Sequence, residues 1–557
     1  MNCKQCGTTF QVSADDRALL DLLAPRIVEE TIPLPDPRCC PLCRMQRRMV
    51  WRGELQLFRR NCDRSGKPIL SFYPPEAQVK VYSNDEWWSD TWDAREFGTE
   101  YDFSRPFFAQ FADLLKVSPL QALTVQGESE NSDYVNCASW NKNCYLVAGA
   151  NYNEDCYYGN YINRCKNCVD NNFLADCELC YECIDCTNCY DVRYSQNSHH
   201  CSNSAFLLGC RSSANCFGSV NLINKQYVFF NEQLTKEEYV RRVNTLALQK
   251  RSEVERVMQR FSEHQLAYPR RFMMGEQNEH VSGNELNNCK NAQFCFDGSE
   301  LEDCRHSTWL HRAKNCMDIY SWGFSAELCY ECSIVGADSY RSLFSVRTYG
   351  GEECLYCVDT FNCKSCFGCV GLKRGEYCIL NRQYSKESYE KQLSTIIAHL
   401  KQTGEWGEFF PAALSPLPYN ATIAQDYYPL EREEALSFGW KWHDETEAEP
   451  QNVELVSPPD DIDEASPDVP QQLLRCKVSG RAFRLTKAEF GYYKEHRLPT
   501  PAYSFIERHK ARLARRNPRQ LWDRTCARCE TSILTSYPPY RKEQIVYCER
   551  CYQEVLD

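Results

Sequence analysis

The middle of the chain alternates short polar turns with a cysteine that is usually followed by an aromatic residue. Cys144, Cys156, Cys168 and Cys180 stand twelve residues apart, and Cys189 and Cys201 repeat that spacing. A cysteine and the residue after it face opposite sides of a strand, and asparagine suits left-handed corners between strands. Units this short must stack to bury a core. The pattern therefore predicts a β-solenoid with an internal cysteine ladder, in which twelve residues form one coil or half of a larger one.

This repeat occurs twice. The 24 residues from Cys216 and the 24 from Cys366 are 150 positions apart and share 11 identities without a gap. The motif LCYEC also occurs twice, ending at Cys183 and at Cys332. We therefore expect two copies of the Cys-repeat solenoid, at 131–266 and 281–402.

Each copy ends in a helical pattern. Thr235 opens a capping box that leads into Tyr239, Val240, Val243 and Leu246 at helical spacing, and Ser385 opens the equivalent segment. We expect these helices to cover an end or flank of each solenoid, because an open strand edge invites pairing with another chain.

The segments outside the copies differ in composition. We expect an N-terminal zinc-binding module at 1–70, a connecting segment at 71–130 and an extended aromatic segment at 403–444. Residues 445–472 are acidic and proline-rich, which predicts a disordered linker. A basic C-terminal zinc-ribbon module follows at 473–557. The expected fold class is mainly β: a duplicated β-solenoid or β-helix-like core with capping helices, flanked by small α+β zinc-ribbon modules.

Charge is distributed unevenly along the 557 residues. The net charge is −12, which argues against a surface coated uniformly by nucleic acid. Residues 473–557 nevertheless carry 18 Lys and Arg against 9 Asp and Glu. This asymmetry predicts that the C-terminal module meets an anionic partner or the chain's own acidic parts.

Thirty-six cysteines narrow the chemistry. The first residues do not have the pattern of a signal peptide, and no apolar run is long enough to predict a membrane span. We therefore expect a cytoplasmic, reducing location, where cysteines are metal ligands or buried thiols rather than disulfides.

Paired CxxC motifs stand at both ends of the chain. The spacing is typical of four-thiolate zinc sites, so we expect about two structural zinc ions. The C-terminal ligands are Cys526, Cys529, Cys548 and Cys551. The N-terminal ligands are Cys3, Cys6, Cys40 and Cys43, with a predicted helix between the two pairs and Cys39 as an alternative to Cys40.

The two ends also resemble each other. The segment from Arg52 aligns with the segment from Arg516, and both contain the sequence SYPP or SFYPP. Cys62 lacks its CxxC partner because Ser65 stands there, and Cys476 likewise stands alone. We interpret each end as a two-lobed module with one metal site kept and one lost, in which Cys62 and Cys476 are structural thiols.

LCYECIDC, CFGCVGL, YCILNRQYSKESY and GEFFPAALSPLPYNATIAQDYYPL, together with the terminal CxxC modules, resemble an uncharacterised bacterial family. Its members are cysteine-rich, with terminal zinc ribbons around a duplicated Cys-repeat centre. The resemblance spans nearly the whole chain and implies no established activity. It implies four terminal metal sites, reduced to two here because Ser65 and Tyr503 replace family knuckles.

A denser cysteine run leaves three interpretations open. Residues spaced by three could form an interior ladder, hold additional zinc or bind an iron–sulfur cluster. The second copy favours the ladder, because it keeps Cys329 and Cys332 but then has Val335 and Asp338. His199 and His200 are further possible ligands. The run consists of Cys177, Cys180, Cys183, Cys186 and Cys189.

Two basic runs follow the first zinc knuckle and precede the last. Cationic side chains beside a rigid module suit phosphate contacts, and an adjacent tryptophan suits base stacking. Docking onto the chain's own acidic parts is the alternative. The possible nucleic-acid contacts are Arg44, Arg47, Arg48, Arg52, Arg508, Lys510, Arg512, Arg515, Arg516, Arg519 and Trp522.

The sequence matches none of the common catalytic motifs. It favours a non-enzymatic, zinc-binding scaffold or binding protein with a protein, RNA or ribosome partner and no membrane partner. An iron–sulfur or thiol redox protein is one alternative. A structural protein that assembles solenoids end to end is the other, and the oligomeric state stays open.

Overall fold

The computed structural model describes residues 1–27, 30–318, 326–327, 330–335, 339–444 and 454–556. These residues form helices and many short strands, so the chain is mixed and the expectation of a mainly β fold holds only in part. The helices are α1 (Ala14–Leu23), α2 (Pro41–Met49), α3 (Asn84–Trp88), α4 (Phe107–Val117), α5 (Lys236–Asn244), α6 (Arg251–Gln265), α7 (Lys386–Thr403), α8 (Ile423–Tyr427), α9 (Arg432–Ser437), α10 (Lys487–Glu495), α11 (Phe505–Ala514) and α12 (Glu549–Leu556).

The strands are short throughout. Before the first copy they are β1 (Arg26–Ile27), β2 (Glu30–Thr31), β3 (Phe58–Asn61), β4 (Pro68–Ser71), β5 (Val81–Tyr82) and β6 (Leu120–Gln121). In the first copy they are β7 (Asn160–Asn163), β8 (Asn172–Ala175), β9 (Ile184–Thr187), β10 (Tyr190–Arg193), β11 (Ser202–Ala205), β12 (Ala214–Phe217), β13 (Gln226–Phe229) and β14 (Glu232–Gln233).

A short strand, β15 (Arg270–Arg271), follows α6 and lies before the second copy. The strands that come next are β16 (Gly275–Glu276), β17 (Gly283–Asn287), β18 (Cys295–Glu302), β19 (His311–Lys314), β20 (Ala326–Glu327), β21 (Ser333–Val335), β22 (Val346–Tyr349), β23 (Glu352–Leu355), β24 (Val358–Phe361), β25 (Lys364–Phe367), β26 (Glu376–Ile379) and β27 (Arg382–Gln383). The C-terminal strands are β28 (Leu455–Val456), β29 (Leu473–Arg475), β30 (Ala482–Phe483), β31 (Trp522–Thr525), β32 (Ser532–Thr535) and β33 (Val546–Tyr547).

Successive segments of the first copy pair in parallel at a fixed offset. Tyr190 in β10 pairs with Ser202 in β11, and Ala214 in β12 pairs with Gln226 in β13, so each partner lies twelve residues further along. Isolated bridges extend the same register towards the N-terminus, as from Glu130 to Lys142. One repeat of the backbone is therefore twelve residues long.

A left-handed residue recurs at every third position of the first copy. From Asn131 to Phe230, every third residue has φ between 46° and 66°. Asparagine, aspartate and glycine adopt this region at least cost, which explains their frequency at positions such as Asn143, Asp155 and Asn167. Twelve residues therefore contain four of these left-handed residues, here called corners, with two residues between one corner and the next.

Where a cysteine follows a corner, its side chain is buried and contacts the backbone. The Cys363 thiol lies 3.5 Å and 3.3 Å from the carbonyls of Phe361 and Leu372, and its sulfur accepts the amide of Gly375 at 3.4 Å. The bonded groups lie two residues back, nine residues on and twelve residues on. A thiol can both donate and accept a hydrogen bond. The Cys363 side chain can therefore pair with inward-facing carbonyls as a donor and with an inward-facing amide as an acceptor.

Serine and asparagine replace cysteine at equivalent inward positions. Ser345 donates to Leu343 and Cys354 at 3.0 Å and 3.3 Å and accepts the amide of Cys357. Asn171 donates to the carbonyl nine residues on and accepts the amide twelve residues on, both at 2.8 Å. Other inward positions are apolar, as at Ile162, Leu174 and Val192. The polar inward positions therefore share a small group that can form hydrogen bonds, and the reactivity of a thiol is not what they have in common.

The second copy repeats this register with insertions. Gly283 in β17 pairs with Cys295 in β18 at an offset of twelve. Ala313 and Ala326 are thirteen apart, as are Ser333 and Val346, so an extra residue enters each of these repeats. Cys329 and Asp338, which the sequence comparison used, lie outside the described residues.

The two predicted terminal helices are present. α5 starts after its N-cap Thr235 and buries Tyr239, but Val240 faces solvent instead of the core. α7 starts after its N-cap Ser385 and buries Tyr389 among other apolar residues. Each follows an antiparallel hairpin, β13–β14 or β26–β27, that ends the parallel register.

The predicted acidic linker is ordered in its second half. Residues 445–453 lie outside the described residues, but Ile462 and Val469 are buried in one core with α6 and α10. The Asp460 carboxylate accepts the amide and hydroxyl of Ser252 at 2.9 Å and 2.7 Å. The prediction of disorder was wrong for 454–472 because the acidic side chains bind the first copy while the few apolar ones are buried.

The two copies meet along one row of corner residues from each. Asn197 of the first copy donates to Glu285 of the second at 2.7 Å. Tyr161 of the first stacks on Trp309 of the second. Among the described helices, none combines the length and apolar character needed to cross a bilayer.

Candidate metal centres

Four cysteines converge at the N-terminus. The sulfurs of Cys3, Cys6, Cys40 and Cys43 all lie within 4.8 Å of one another, and the Cys6 and Cys40 sulfurs are 3.8 Å apart. The first pair lies in a tight turn and the second spans the start of α2. Cys39, the alternative ligand, is outside this group and lies 3.7 Å from an Arg47 nitrogen.

Four more converge at the C-terminus. The sulfurs of Cys526, Cys529, Cys548 and Cys551 satisfy the same 4.8 Å limit, with 3.6 Å between Cys529 and Cys548. One pair lies in the turn between β31 and β32, and the other spans the start of α12. Cys526 and Cys551 are buried.

Both groups fit a tetrahedral thiophilic metal. Four sulfurs about 2.3 Å from a tetrahedral zinc lie roughly 3.8 Å from one another, close to the observed separations. The hydrogen bond from Cys43 lowers the pKa of Cys40 to about 5. The Thr531 hydroxyl, 3.3 Å away, lowers the pKa of Cys529 to about 6. Each group therefore contains a sulfur that ionises readily, as a metal ligand must.

The first turn of each metal group belongs to a set of four with one backbone pattern. In each turn the cysteine amide donates to the carbonyl five residues on, the next amide donates to a distant carbonyl, and the amide four residues on returns to the cysteine carbonyl. These turns start at Cys3, Cys62, Cys476 and Cys526. The described residues therefore include four knuckles of one design, two near each end of the chain.

The other two knuckles lack a full set of thiols. Both have the same residue types at the positions where the metal groups have cysteines. The position two residues beyond the distant carbonyl is Ser83 in one and Ser504 in the other, and the position three further on is Glu86 or Glu507. Both sets therefore read Cys, Ser, Ser, Glu. Ser504, rather than the predicted Tyr503, occupies the ligand position.

The amide-to-sulfur hydrogen bond of the N-terminal metal group is kept in these two knuckles. The Ser83 amide donates to the Cys62 sulfur and the Ser504 amide to the Cys476 sulfur, each at 3.3 Å, as Cys40 does to Cys3. Burial alone raises the pKa of Cys476, but hydrogen bonds from Ser479 and nearby amides lower it to about 7. Both thiols are buried, in agreement with the structural role expected for Cys62 and Cys476.

The arginines after the N-terminal knuckle are buried in ion pairs. Arg44 and Arg48 of α2 both bind Asp318, the latter at 3.3 Å, and Arg47 binds Glu331. Arg52 pairs with Glu54. Asp318 and Glu331 are corner residues of the second copy. The N-terminal module thus docks on the second copy.

The C-terminal arginines repeat this arrangement on the first copy. Arg508 binds Asp170 at 3.0 Å, and Arg512 binds Asp170 and Glu182 at 3.1 Å and 2.9 Å. Arg508, Arg512 and Arg516 stand 464 positions after Arg44, Arg48 and Arg52. Each end of the chain therefore places an equivalent arginine helix on an equivalent row of acidic corners.

Two more arginines join the copies directly. Arg516 binds Asp185 of the first copy at 2.9 Å and also Asp297 of the second, which Arg519 binds at 2.8 Å. Of the other suggested nucleic-acid contacts, Lys510 is exposed beside Glu507, while Arg515 and Trp522 are half-buried. The arginine runs are thus engaged mainly by the chain's own acids.

The central cysteine run does not form a comparable group. Within the described residues, only the two terminal sets bring three or more metal-binding side chains within 4.8 Å of one another. Cys177, Cys180, Cys183, Cys186 and Cys189 are buried and contact backbone carbonyls two residues back and nine residues on. The imidazole of His199 lies 2.8 Å from the Thr187 hydroxyl, and His200 is exposed at a corner.

Sequence reasoning identified the cysteine ligands and the arginine runs. It missed the acidic residues that the arginines bind. Glu182 and Glu331 each precede the final cysteine of an LCYEC motif. That shared position was a usable signal, because an acid conserved between two copies beside buried cysteines suggests a common contact. Asp170 and Asp318 carried no comparable signal.

Neither the protein-family models nor the curated proteins with which the chain was compared match it.

Proposed function

We propose that this protein is a non-enzymatic, zinc-stabilised scaffold in which two metal-bound terminal modules clamp two β-solenoid copies side by side. The observation that carries the proposal is the pair of four-cysteine groups, each in a knuckle that leads into the rest of a docked module. Four thiolates without a water or substrate position are typical of structural zinc rather than catalytic zinc. The ions would fix the modules, and the modules would fix the copies.

The solenoid interpretation rests on the constant twelve-residue register between successive parallel strands. Parallel partners twelve residues apart, a left-handed corner at every third position and inward residues that bond to the next repeat are the features of a square coil. Charged side chains run along the outside at the same interval, as in Lys166 and Glu154, 3.3 Å apart. Such a stack provides a long rigid surface, which suits a scaffold.

The clamp interpretation rests on which copy each terminal module contacts. The N-terminal module binds the second copy through Asp318 and Glu331, and the C-terminal module binds the first copy through Asp170 and Glu182. Breaking a buried ion pair costs about 3–5 kcal/mol. Several such pairs at each end would keep the copies in one arrangement.

Association with RNA or a ribosome remains a prediction from the basic runs. The buried ion pairs give it no support, because these guanidinium groups would have to leave carboxylates to meet phosphates. A cytoplasmic location also remains a prediction.

Hydrogen exchange before and after zinc chelation tests the proposal. We expect the amides of α2 and α12 to lose protection first and the parallel strands of both copies to keep theirs, because the metal groups lie only in the knuckles. The Cys529→Ser variant should lose protection in α12 but not in α2, and Cys62→Ser serves as the matched control. Uniform loss across the strands, or no loss in α2 and α12, would contradict the proposal.

A further inference from the structure

A cavity lies where the two copies meet the C-terminal module. Its volume is about 90 Å³, well above the roughly 10–15 Å³ that one water needs. Asp185 and Asn197 of the first copy line it, together with Glu285 and Asp297 of the second. The metal groups lie elsewhere. The contacts of Arg516 and Arg519 that join the copies form part of the lining, but they leave Arg270 and Arg515 without an assigned role.

Four arginines line the cavity against three acids. Arg516 and Arg519 are bound to Asp185 and Asp297. Arg270 has no carboxylate within 4.0 Å among the residues that the structure describes. Arg515 reaches Glu182 only at 4.0 Å, and Arg512 holds that carboxylate more closely at 2.9 Å. The cavity therefore carries an excess of positive charge.

The two less-compensated arginines have donors without partners. Arg270 Nη1 and Arg515 Nε are shielded from solvent and have no hydrogen-bond partner within the described part of the chain. Arg270 makes one hydrogen bond at its other terminal nitrogen, to Gln265 at 3.1 Å. Burial lowers the pKa of both arginines. A buried cationic donor left unpaired is costly, which favours an anion beside it.

Glu285, the third acid of the lining, does not provide the negative charge that Arg270 and Arg515 lack. Glu285 accepts from Asn197 at 2.7 Å and from Asn284 at 3.4 Å, both neutral amides. Burial, aided by Asp185, raises the pKa of Glu285 to about 8. Glu285 therefore holds its proton more tightly than an ordinary glutamate and contributes little negative charge to offset the arginines.

We propose that this cavity binds a tetrahedral oxyanion, a phosphate or sulfate group, through Arg270 and Arg515. A guanidinium presents a planar fork of donors that matches two oxygens of such a group. A second cavity of about 310 Å³ shares Gln196, Gln265, Arg515 and Gln544 with the first and is also lined by Tyr194 and Phe261. It has room for an organic group that carries the oxyanion.

Calorimetric titration of the full-length zinc-loaded protein tests the proposal. The probes are sodium sulfate and phenyl phosphate, with sodium chloride at matched ionic strength as the reference. We expect saturable one-to-one binding of at least one oxyanion. Tighter binding of phenyl phosphate than of sulfate assigns the oxyanion to an organic molecule, and equal binding assigns it to the free ion.

Variants identify the site. Arg270→Gln should weaken oxyanion binding at least tenfold while circular dichroism stays unchanged, and Arg515→Gln is the second variant if the first does not fold. Arg432→Gln is the matched control, since Arg432 forms an exposed pair with Asp444 far from the cavity lining. Binding no stronger than that of chloride would show that the cavity holds water only and would overturn the proposal, as would full affinity in both variants.

Discussion

Replacing Arg512 with methionine should release the C-terminal module from the first copy. Arg512 Nε donates to Asn172 at 2.7 Å, and its Nη1 lies 3.1 Å from Asp170 and 2.9 Å from Glu182. The side chain is 1% exposed. In the variant, Asp170 would still form an ion pair with Arg508, but the only remaining partner of Glu182 would be Arg515, 4.0 Å away.

The expected loss is about 3 kcal/mol, the lower end of the range for breaking a buried pair, because Glu182 is partly open to solvent. Since each 1.4 kcal/mol corresponds to a factor of ten, the opened form of α11 should become roughly a hundredfold more populated. Native-state hydrogen exchange at the α11 amides measures this local opening directly. Global unfolding is less suitable for a chain with several modules.

A double-mutant cycle separates the ion pair from packing. Glu182→Gln removes the stranded charge, so the double variant Arg512→Met/Glu182→Gln should recover part of the lost protection. Arg432→Met is the control and should change stability by less than about 1 kcal/mol, because its pair with Asp444 is exposed. Unchanged α11 protection in Arg512→Met, or a double variant no better than the single one, would refute the reasoning.

Three further outcomes follow from the same contacts. Cys363→Val should destabilise the second copy by about 1–3 kcal/mol and more than Cys363→Ser, measured by native-state hydrogen exchange at its strand amides, because valine offers the surrounding amide and carbonyls no partner; the opposite order would indicate a purely apolar ladder. The triple change Ser65→Cys, Ser83→Cys and Glu86→Cys should add a third zinc by elemental analysis, and unchanged metal content would show that this knuckle no longer fits a metal. Burial raises the pKa of Asp297, but Arg516 and Arg519 outweigh this and lower it below its usual range; its contribution should be present above about pH 4 and disappear as pH falls through the lowered value. Burial raises the pKa of Asp185 on the same Arg516, so that carboxylate is protonated first, and interface protection that does not fall further below about pH 4 would count against the clamp.

The terminal cysteine groups were predictable because their spacing alone specifies the geometry. Two thiols three residues apart in a tight turn can reach one ion, and two such turns complete the set. The degenerate knuckles were predictable only at Cys62, its lost partner position Ser65, and Cys476. Ser83 and Glu86 are ordinary polar residues in sequence, and their equivalence to ligands emerges only from the shared backbone hydrogen bonds.

The partners of the arginines were the main omission. Arg44 contacts Asp318 across 274 positions and Arg508 contacts Asp170 across 338. A run of basic residues has the same sequence pattern whether its side chains bind phosphate or a distant carboxylate. The local pattern therefore could not distinguish these two kinds of partner. The ordered part of the acidic segment was missed for the same reason, since Asp460 finds its partner Ser252 208 positions away.

Zinc and iron content per chain, measured by elemental analysis on protein purified without oxygen, tests the central claim most directly. The account predicts two zinc ions and no iron, with one zinc in Cys529→Ser and two in the control Cys62→Ser. Substantial iron, or zinc well above two, would make the central cysteines metal ligands instead of backbone partners. A zinc content that Cys529→Ser leaves unchanged would contradict the assignment of the C-terminal group.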